Sequence, residues 1–248
     1  LYDDSSADFL DSIEMRKALK TISSHLGRPL DLLGCDACLM SMIEVGYQLH
    51  DLCRVMVGSQ EVEPSGGWPY DLILRQLVDE PELKPSALAR IIVESYTEYY
   101  RTALPSWPVT QSAIDLSELS RTAEMVDKLG AALKATLNDD SSTGSIYRVR
   151  RSVQTFTDYD YVDLGHLCHL MMQSSPDSTI RLGAAEVGNS LSTQPMPVIA
   201  EGHNGSQVNN ATGISIYLPA RTLSPLYERL EFAKDNAWYD FLKAFCAS

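Results

Sequence analysis

The pattern of apolar and polar positions predicts alternating helices and strands in the first part of the chain. Apolar residues recur at helical spacing from Ser12 to Leu26, with Ser12 as the expected N-cap and Gly27 as the end. A buried strand is expected at Leu30–Leu33, an apolar helix at Leu39–Leu49 and a second strand at Arg54–Ser59. Short links between these elements predict parallel pairing through right-handed crossovers, and therefore an α/β sheet.

The rest of the pattern mixes helices and strands with one polar segment. Helices are predicted at Tyr70–Leu77, Pro85–Arg101, Ser117–Leu137, Val162–Met172 and Thr179–Ser190, and strands at Val109–Leu116, Met196–Ala200 and Gly213–Leu218. The last two strands enclose Gly202–Asn210, which predicts a hairpin loop. Asn138–Ser145 has no apolar residue and is the best candidate for a linker. We therefore expect a core over 1–138 and a largely helical C-terminal region with a β-hairpin over 139–248.

Composition and charge exclude several partners. Of the 248 residues, 44% are hydrophobic and 21% charged, as in ordinary globular proteins. The net charge of −13 argues against nucleic acid and anionic membranes, because both repel a surplus of carboxylates. No run approaches the roughly 18 apolar residues of a membrane span. The chain opens with the acidic LYDDSSADFLDS rather than with a signal peptide, which is typical of a processed or trimmed product.

Cys38 is the candidate nucleophile. It follows the first predicted strand and precedes an apolar helix, so we expect it among the unpaired N–H groups at the positive end of the helix dipole. Both effects favour the thiolate, which is the attacking species, and ligands bind at the carboxyl ends of strands in open α/β sheets. The alternative is that Cys38 is a small buried hydrophobic residue, as most free cysteines are.

The five cysteines have no metal-binding spacing, and we expect no metal site. Cys35 and Cys38 form a C-x-x-C pair, which leaves a thiol-disulfide redox function open. That function is less favoured, because Cys35 falls at the strand end rather than after it. Asp139 and Asp140 indicate a solvated turn rather than a calcium site, since calcium needs six to eight oxygens on a defined frame.

An irregular, acidic and aromatic loop, Glu61–Pro69, follows the second strand at the same sheet edge as Cys38. A nucleophile that converges with such a loop is what a substrate cleft requires. Glu61, Glu63 and Trp68 are candidates for lining the pocket, although a solvated loop is the favoured interpretation for the two glutamates.

Asp36 is the candidate specificity residue. It lies two residues before Cys38, and its carboxylate can pair with a guanidinium or an ammonium group. On the residues alone, an Asx turn or a helix N-cap explains Asp36 about equally well.

No histidine in the chain has a motif that marks it as a catalytic base. The five histidines are His25, His50, His166, His169 and His203. His50 falls at the far end of the helix after Cys38, and His203 falls in the predicted hairpin loop.

One stretch of this chain resembles a known family. Its elements are Gly34, Asp36–Met40 (DACLM), Glu61–Pro64 (EVEP), Trp68 and Tyr70. They resemble the nucleophile region of the clostripain-like cysteine peptidases (family C11, clan CD), with its G-x-D-A-C-L-M segment and E-x-E-P-x-x-G-W-x-Y loop. The later segments YVDLGHL, GISIYLP and WYDFL are similar to the family more weakly.

The resemblance implies a caspase-like fold, with a mostly parallel sheet flanked by helices. It implies a cysteine endopeptidase that cuts after Arg or Lys through Cys38, since an acid at the position of Asp36 is associated with that specificity. The partners are then a peptide or protein substrate with basic residues and a light chain, cut from the same precursor, that carries the catalytic histidine. The chain itself resembles the heavy chain, and the resemblance implies that the histidine would lie before Leu1.

The resemblance also implies a secreted or bacterial cell-envelope location. Clostripain-type enzymes can depend on calcium, but the sequence identifies no site for it. Two other functions stay open: a catalytically silent peptide-binding module, which keeps Asp36 and the loop but lacks a base, and an oxidoreductase that uses Cys35 and Cys38.

Overall fold

The computed structural model of the protein describes residues 2, 3, 5 and 8–247, so the expected heavy-chain start at Leu1 lies outside the described residues. The helices are α1 (Ser12–Leu26), α2 (Ile43–Leu49), α3 (Tyr70–Asp79), α4 (Pro85–Ala103), α5 (Leu116–Thr136), α6 (Asp140–Ser152), α7 (Leu164–Ser174), α8 (Ser178–Ser192), α9 (Glu231–Asp235) and α10 (Ala237–Ala247). The strands are β1 (Tyr2–Asp3), β2 (Asp8–Phe9), β3 (Leu30–Gly34), β4 (Cys53–Gly58), β5 (Val109–Asp115), β6 (Tyr161–Asp163), β7 (Val198–Asn204) and β8 (Ser215–Tyr217).

A four-stranded sheet with the order β3-β4-β5-β7 forms the centre of the molecule. Strands β3 and β4 are parallel, and β5 is antiparallel to both β4 and β7. Three of the four strands therefore share one direction, which makes the sheet mixed but mostly parallel. Among the described strands, β3 pairs with β4 alone, so β3 is an edge of this sheet.

Helices cover both faces of the sheet, as alternating side chains require. On β4, Met56 packs into the larger core with α2, α5, α7, α8 and α10. Its neighbours Val55 and Val57 point to the opposite face and pack with α3 and α4. The result is a three-layer α/β structure, with the loops at the strand ends free to form a site. Among the described residues, no helix combines the length and apolar content needed to cross a bilayer.

The predicted C-terminal hairpin is wrong. Strand β7 pairs with β5 in the central sheet, whereas β8 pairs with β6 in a separate two-stranded sheet. Strand β6 lies where the sequence predicts the start of a helix, and that helix, α7, begins at Leu164 because Asp163 caps it by accepting a hydrogen bond from the His166 backbone N–H (2.7 Å). The loop placement of His203 is also wrong, since β7 extends to Asn204.

The predicted linker is helical from Asp140 onwards, as the start of α6. Asp139 is its N-cap and accepts a hydrogen bond from the Ser142 backbone N–H (2.7 Å). Aspartate and serine are typical of helix N-termini as well as of loops, which is why composition alone predicted the wrong structure.

Candidate active site

Cys38 lies on an exposed turn at the carboxyl end of β3. The prediction that it begins a helix is wrong, because α2 starts five residues later, at Ile43. Leu39 has a left-handed φ of 61°, and Met42 is extended and forms a parallel bridge with Ser215. The thiol is thus presented by a tight turn, without the helix dipole that the sequence pattern suggested.

Backbone hydrogen bonds hold this turn between the loop that follows β4 and the first residue of β8. The Leu39 N–H donates to the Glu61 carbonyl (3.3 Å), and the Ser41 N–H donates to the Ser59 carbonyl (2.9 Å). On the other side, the Ser215 N–H donates to the Ser41 carbonyl (2.9 Å). The position of Cys38 therefore depends on residues more than 150 positions away in sequence.

Asp36 is exposed and its carboxylate is held in place from two directions. Its Oδ2 accepts hydrogen bonds from the Trp68 backbone N–H (3.2 Å) and from the Tyr70 hydroxyl (2.9 Å). Burial, and then the Asp36 carboxylate, raise the pKa of Tyr70 to about 12, so that hydroxyl is a donor at neutral pH. The structure therefore brings together Asp36 and the loop that follows β4.

Glu63 and Trp68 lie together behind Asp36. The Trp68 indole Nε1 donates to Glu63 Oε2 (3.1 Å), and Gln111 Nε2 donates to Glu63 Oε1 (3.4 Å). The favoured interpretation of Glu63 as a solvated loop residue is wrong, because the residue is only 8% exposed. Burial, together with the neighbouring Asp36, raises the pKa of the Glu63 carboxyl to about 9. The Trp68 ring covers the end of β3, where a Cβ on Gly34 would lie 2.9 Å from it.

Glu61 is also buried and holds the loop rather than facing solvent. Its carboxylate accepts hydrogen bonds from the Val62 N–H (2.7 Å) and the Thr157 N–H (3.1 Å). The solvated interpretation is therefore wrong for Glu61 too. Both hydrogen-bond partners of the carboxylate are backbone groups, and the one with Thr157 connects the loop to the segment between α6 and β6.

Cys35 differs from Cys38 in its exposure to solvent. It is buried, and burial raises the pKa of its thiol to about 12. Both cysteines are free thiols in the structure. A redox pair needs a low-pKa, accessible thiolate, and the environment of Cys35 works against one.

A buried polar network supports the turn, and the sequence analysis missed its members. Asp163 accepts hydrogen bonds from Gln60 Nε2 (3.0 Å), the Thr212 N–H (2.6 Å) and the Thr212 hydroxyl (2.7 Å). Thr110 accepts from the N–H groups of Gln60 (2.9 Å) and Glu61 (3.0 Å). Thr110 and Gln111 are polar residues inside a buried strand, which is the signal that could have found them.

Each histidine makes its described hydrogen bonds away from Cys38. His25, His50 and His203 contact Thr21, Tyr47 and Glu201 respectively, and His166 and His169 contact Gln154 and Gln173. In the described part of the chain, no histidine is hydrogen-bonded to the Cys38 thiol. Within the described part of the chain, no group of three or more His, Cys, Asp or Glu side chains could hold a metal ion.

An α/β sheet flanked by helices, with an exposed cysteine on a strand-end turn beside an acidic and aromatic loop, is a caspase-like arrangement, and the family to which the chain belongs is one of cysteine peptidases. More particularly, the chain belongs to the clostripain family, peptidase C11, whose sequence model matches residues 1–245. No match was found among curated protein sequences.

Solved structures of C11 proteases have the same fold. A clostripain from Bacteroides thetaiotaomicron in complex with a peptide inhibitor is 20% identical with a TM-score of 0.65, over 98% of both chains. An inactive zymogen C11 protease from Parabacteroides distasonis is 21% identical (TM-score 0.60) over 88% of this chain and 62% of that one. A secreted C11 cysteine protease from B. thetaiotaomicron is 20% identical (TM-score 0.65) over 91% and 60%. The chain thus spans about three fifths of the last two.

Proposed function

We propose that this C11 protease is an endopeptidase subunit that cuts peptide bonds after Arg or Lys, with Cys38 as nucleophile and Asp36 as the receptor for the basic side chain. The observation that carries the proposal is the exposed Cys38 thiol beside an exposed Asp36 carboxylate, held by Trp68 and Tyr70. A fixed carboxylate on the surface gives a guanidinium or ammonium group a directional, charge-assisted hydrogen bond.

In this proposal, Cys38 on its exposed turn hydrolyses the peptide bond through an acyl-enzyme. The Cys38 thiolate attacks the carbonyl carbon, the carbonyl oxygen becomes an oxyanion, and the amine leaves after it takes a proton from a general acid. In the described residues, the Cys38 backbone N–H has no hydrogen-bond acceptor, so it is free to donate to the oxyanion. The acyl group on sulfur is then released by water.

A light chain supplies the missing imidazole in this proposal. None of the five histidines is hydrogen-bonded to Cys38 in the described residues, which supports a base that comes from another polypeptide. Among the strands that the structure describes, β3, which leads to Cys38, has a partner on one side only, and an edge strand offers unpaired N–H and C=O groups to an additional strand. A histidine at the end of a strand added there would lie at the same sheet edge as the thiol.

The comparisons support the specificity and the location. The B. thetaiotaomicron clostripain is bound to the inhibitor BTN-VLTK-AOMK, in which K is lysine. Another C11 relative is described as secreted, and we propose a secreted or cell-envelope location for this protein as well.

Affinity labelling and two variants test the proposal. An arginyl or lysyl chloromethyl ketone should label Cys38, and Cys38→Ala should abolish both labelling and turnover in the protein combined with its light chain. Asp36→Asn should lower kcat/KM for Arg substrates about 10- to 100-fold, because it removes one charge-assisted hydrogen bond. Cys246→Ala is the control and should change neither.

Three results would contradict the proposal. If the label is found on another cysteine, Cys38 is not the nucleophile. If Asp36→Asn still selects Arg substrates, Asp36 does not receive the basic side chain. If the 248-residue chain is fully active without any added polypeptide, no light chain is needed.

A further inference from the structure

Two carboxyl groups meet at Trp68. Its backbone N–H donates to Asp36 (3.2 Å) and its indole N–H donates to Glu63 (3.1 Å), so one residue fixes both acids. The Asp36 carboxylate is also close enough to Glu63 to raise the pKa of its carboxyl. Two neighbouring carboxylates repel one another and offer only acceptors, so the pair favours a state in which one of them carries a proton.

The surroundings of Glu63 contain no compensating cation. The titratable groups that face it are Asp36 and Cys35 from the β3 end, Tyr70 from α3, and Tyr96 and Tyr100 from α4. Each of them is neutral or negative near pH 7, and none of the described Lys or Arg residues pairs with Glu63. An acid that is 8% exposed with only these neighbours holds its proton.

We propose that Glu63 is a second specificity residue of the pocket, and that entry of a guanidinium or ammonium group expels the proton that Glu63 holds next to Asp36. The inference rests on the proposed function, because it needs Asp36 to receive the basic side chain. The charges balance: a carboxylic acid, a carboxylate and a monocation become two carboxylates and the same monocation, and one proton passes to the solvent.

Proton release makes recognition of basic ligands depend on pH. In the empty pocket, the Glu63 pKa is about 9, so below that pH the acid is neutral and must lose a proton before it pairs with the ligand. The bound cation lowers that pKa. Linkage then requires that affinity rise with pH, roughly tenfold per unit, until the pH reaches the empty-pocket value. A neutral side chain gains nothing from the second carboxylate and leaves the proton in place.

Calorimetry with n-butylguanidinium, a mimic of the arginine side chain, tests the inference. The protein carries Cys38→Ala, which removes the thiol as another source of protons. Binding is measured at pH 7 and pH 8 in phosphate and in Tris, whose different ionisation enthalpies report the number of protons released. We expect release of close to one proton per ligand and a roughly tenfold tighter Kd at pH 8.

Two further variants separate the outcomes. Glu63→Gln keeps acceptor and donor atoms at the site and should show near-zero proton release and a flat Kd between the two pH values. Glu44→Gln, the same change at another buried glutamate, should behave like the parent protein.

Binding that needs Asp36 but releases no proton, or equal release in Glu63→Gln, would overturn this inference and leave the proposed pocket intact. Binding that is absent, or unchanged in Asp36→Asn, would instead overturn the proposed function.

Discussion

At the scale of single residues, the candidate site depends on how precisely Asp36 is held. Its carboxylate has two donors, and it packs against Gly67, where a Cβ would lie 2.9 Å from Oδ2. Gly67 also has a φ of +64°, which side chains with a Cβ rarely adopt. A glycine at this position thus allows the left-handed backbone of the loop and leaves room for the Asp36 carboxylate.

Gly67→Ala should therefore affect both stability and substrate recognition. We expect a loss of about 1 kcal/mol in the free energy of unfolding from the left-handed backbone, and an increase in KM for Arg substrates as Asp36 is displaced. The measurements are urea unfolding and steady-state kinetics.

Gly27→Ala is the matched control. Gly27 has a φ of +67° but no atom within 4 Å of its Cβ position. It should lose similar stability and keep the parental KM. Equal KM changes in the two variants would show that the contact with Asp36 has no role.

At the scale of elements, close backbone approaches set how the helices pack. Helix α10 crosses α5 at Gly130, where a Cβ would lie 2.6 Å from the Trp238 backbone nitrogen. Trp238 is itself fully buried, and its indole N–H donates to the Tyr217 carbonyl (2.9 Å). The WYDFL segment near the C-terminus is thus an anchor of the larger core.

Gly130→Ala should destabilise the protein although alanine favours helix more than glycine does. The added Cβ meets backbone atoms that cannot rotate away, so we expect a loss of about 2 kcal/mol in the free energy of unfolding. Gly144→Ala in α6 meets nothing closer than 3.5 Å and should gain about 0.5–1 kcal/mol. Urea unfolding of both variants measures the difference, and a gain in Gly130→Ala would contradict the packing argument.

At the scale of the whole molecule, buried polar groups join the two ends of the chain. Glu44 on α2 accepts hydrogen bonds from the Tyr217 N–H (2.9 Å) and the Tyr227 hydroxyl (2.9 Å). It is 2% exposed, and burial raises the pKa of its carboxyl to about 7. The Asp163 network makes a similar connection at the sheet edge that carries Cys38.

The Glu44 carboxyl should make global stability depend on pH. Its pKa is higher in the folded than in the unfolded protein, where it is near 4.5, so its contribution is complete below pH 4.5 and is lost as the pH rises through 7. From pH 5 to pH 8, the parent protein should lose about 2.5 kcal/mol more than Glu44→Gln in the free energy of unfolding. Urea titrations at both pH values measure this loss, with the exposed Glu124→Gln as a control that should match the parent. Equal losses in the parent and Glu44→Gln would show that Glu44 has no part in it.

The sequence by itself predicted the α/β class, the positions of most helices and strands, and Cys38 and Asp36 as neighbours at a strand end. Local periodicity and short motifs carry that information, because residues close in sequence meet on one helix face or at one strand end. Pairing between distant segments is absent from such patterns. Only the tertiary structure decided that β5 runs against its neighbours and that β7 and β8 have different partners.

The tertiary structure also decided the environment of the candidate site. Leu39 was predicted as the first residue of a helix, but Glu61 and Phe156, contributed by distant segments, hold it in a left-handed turn. Glu63 was predicted as a solvated acid, but Trp68 and α4 bury it. Burial of an acid depends on all the residues packed around it, so the proton that we propose on Glu63 could be inferred only from the tertiary structure.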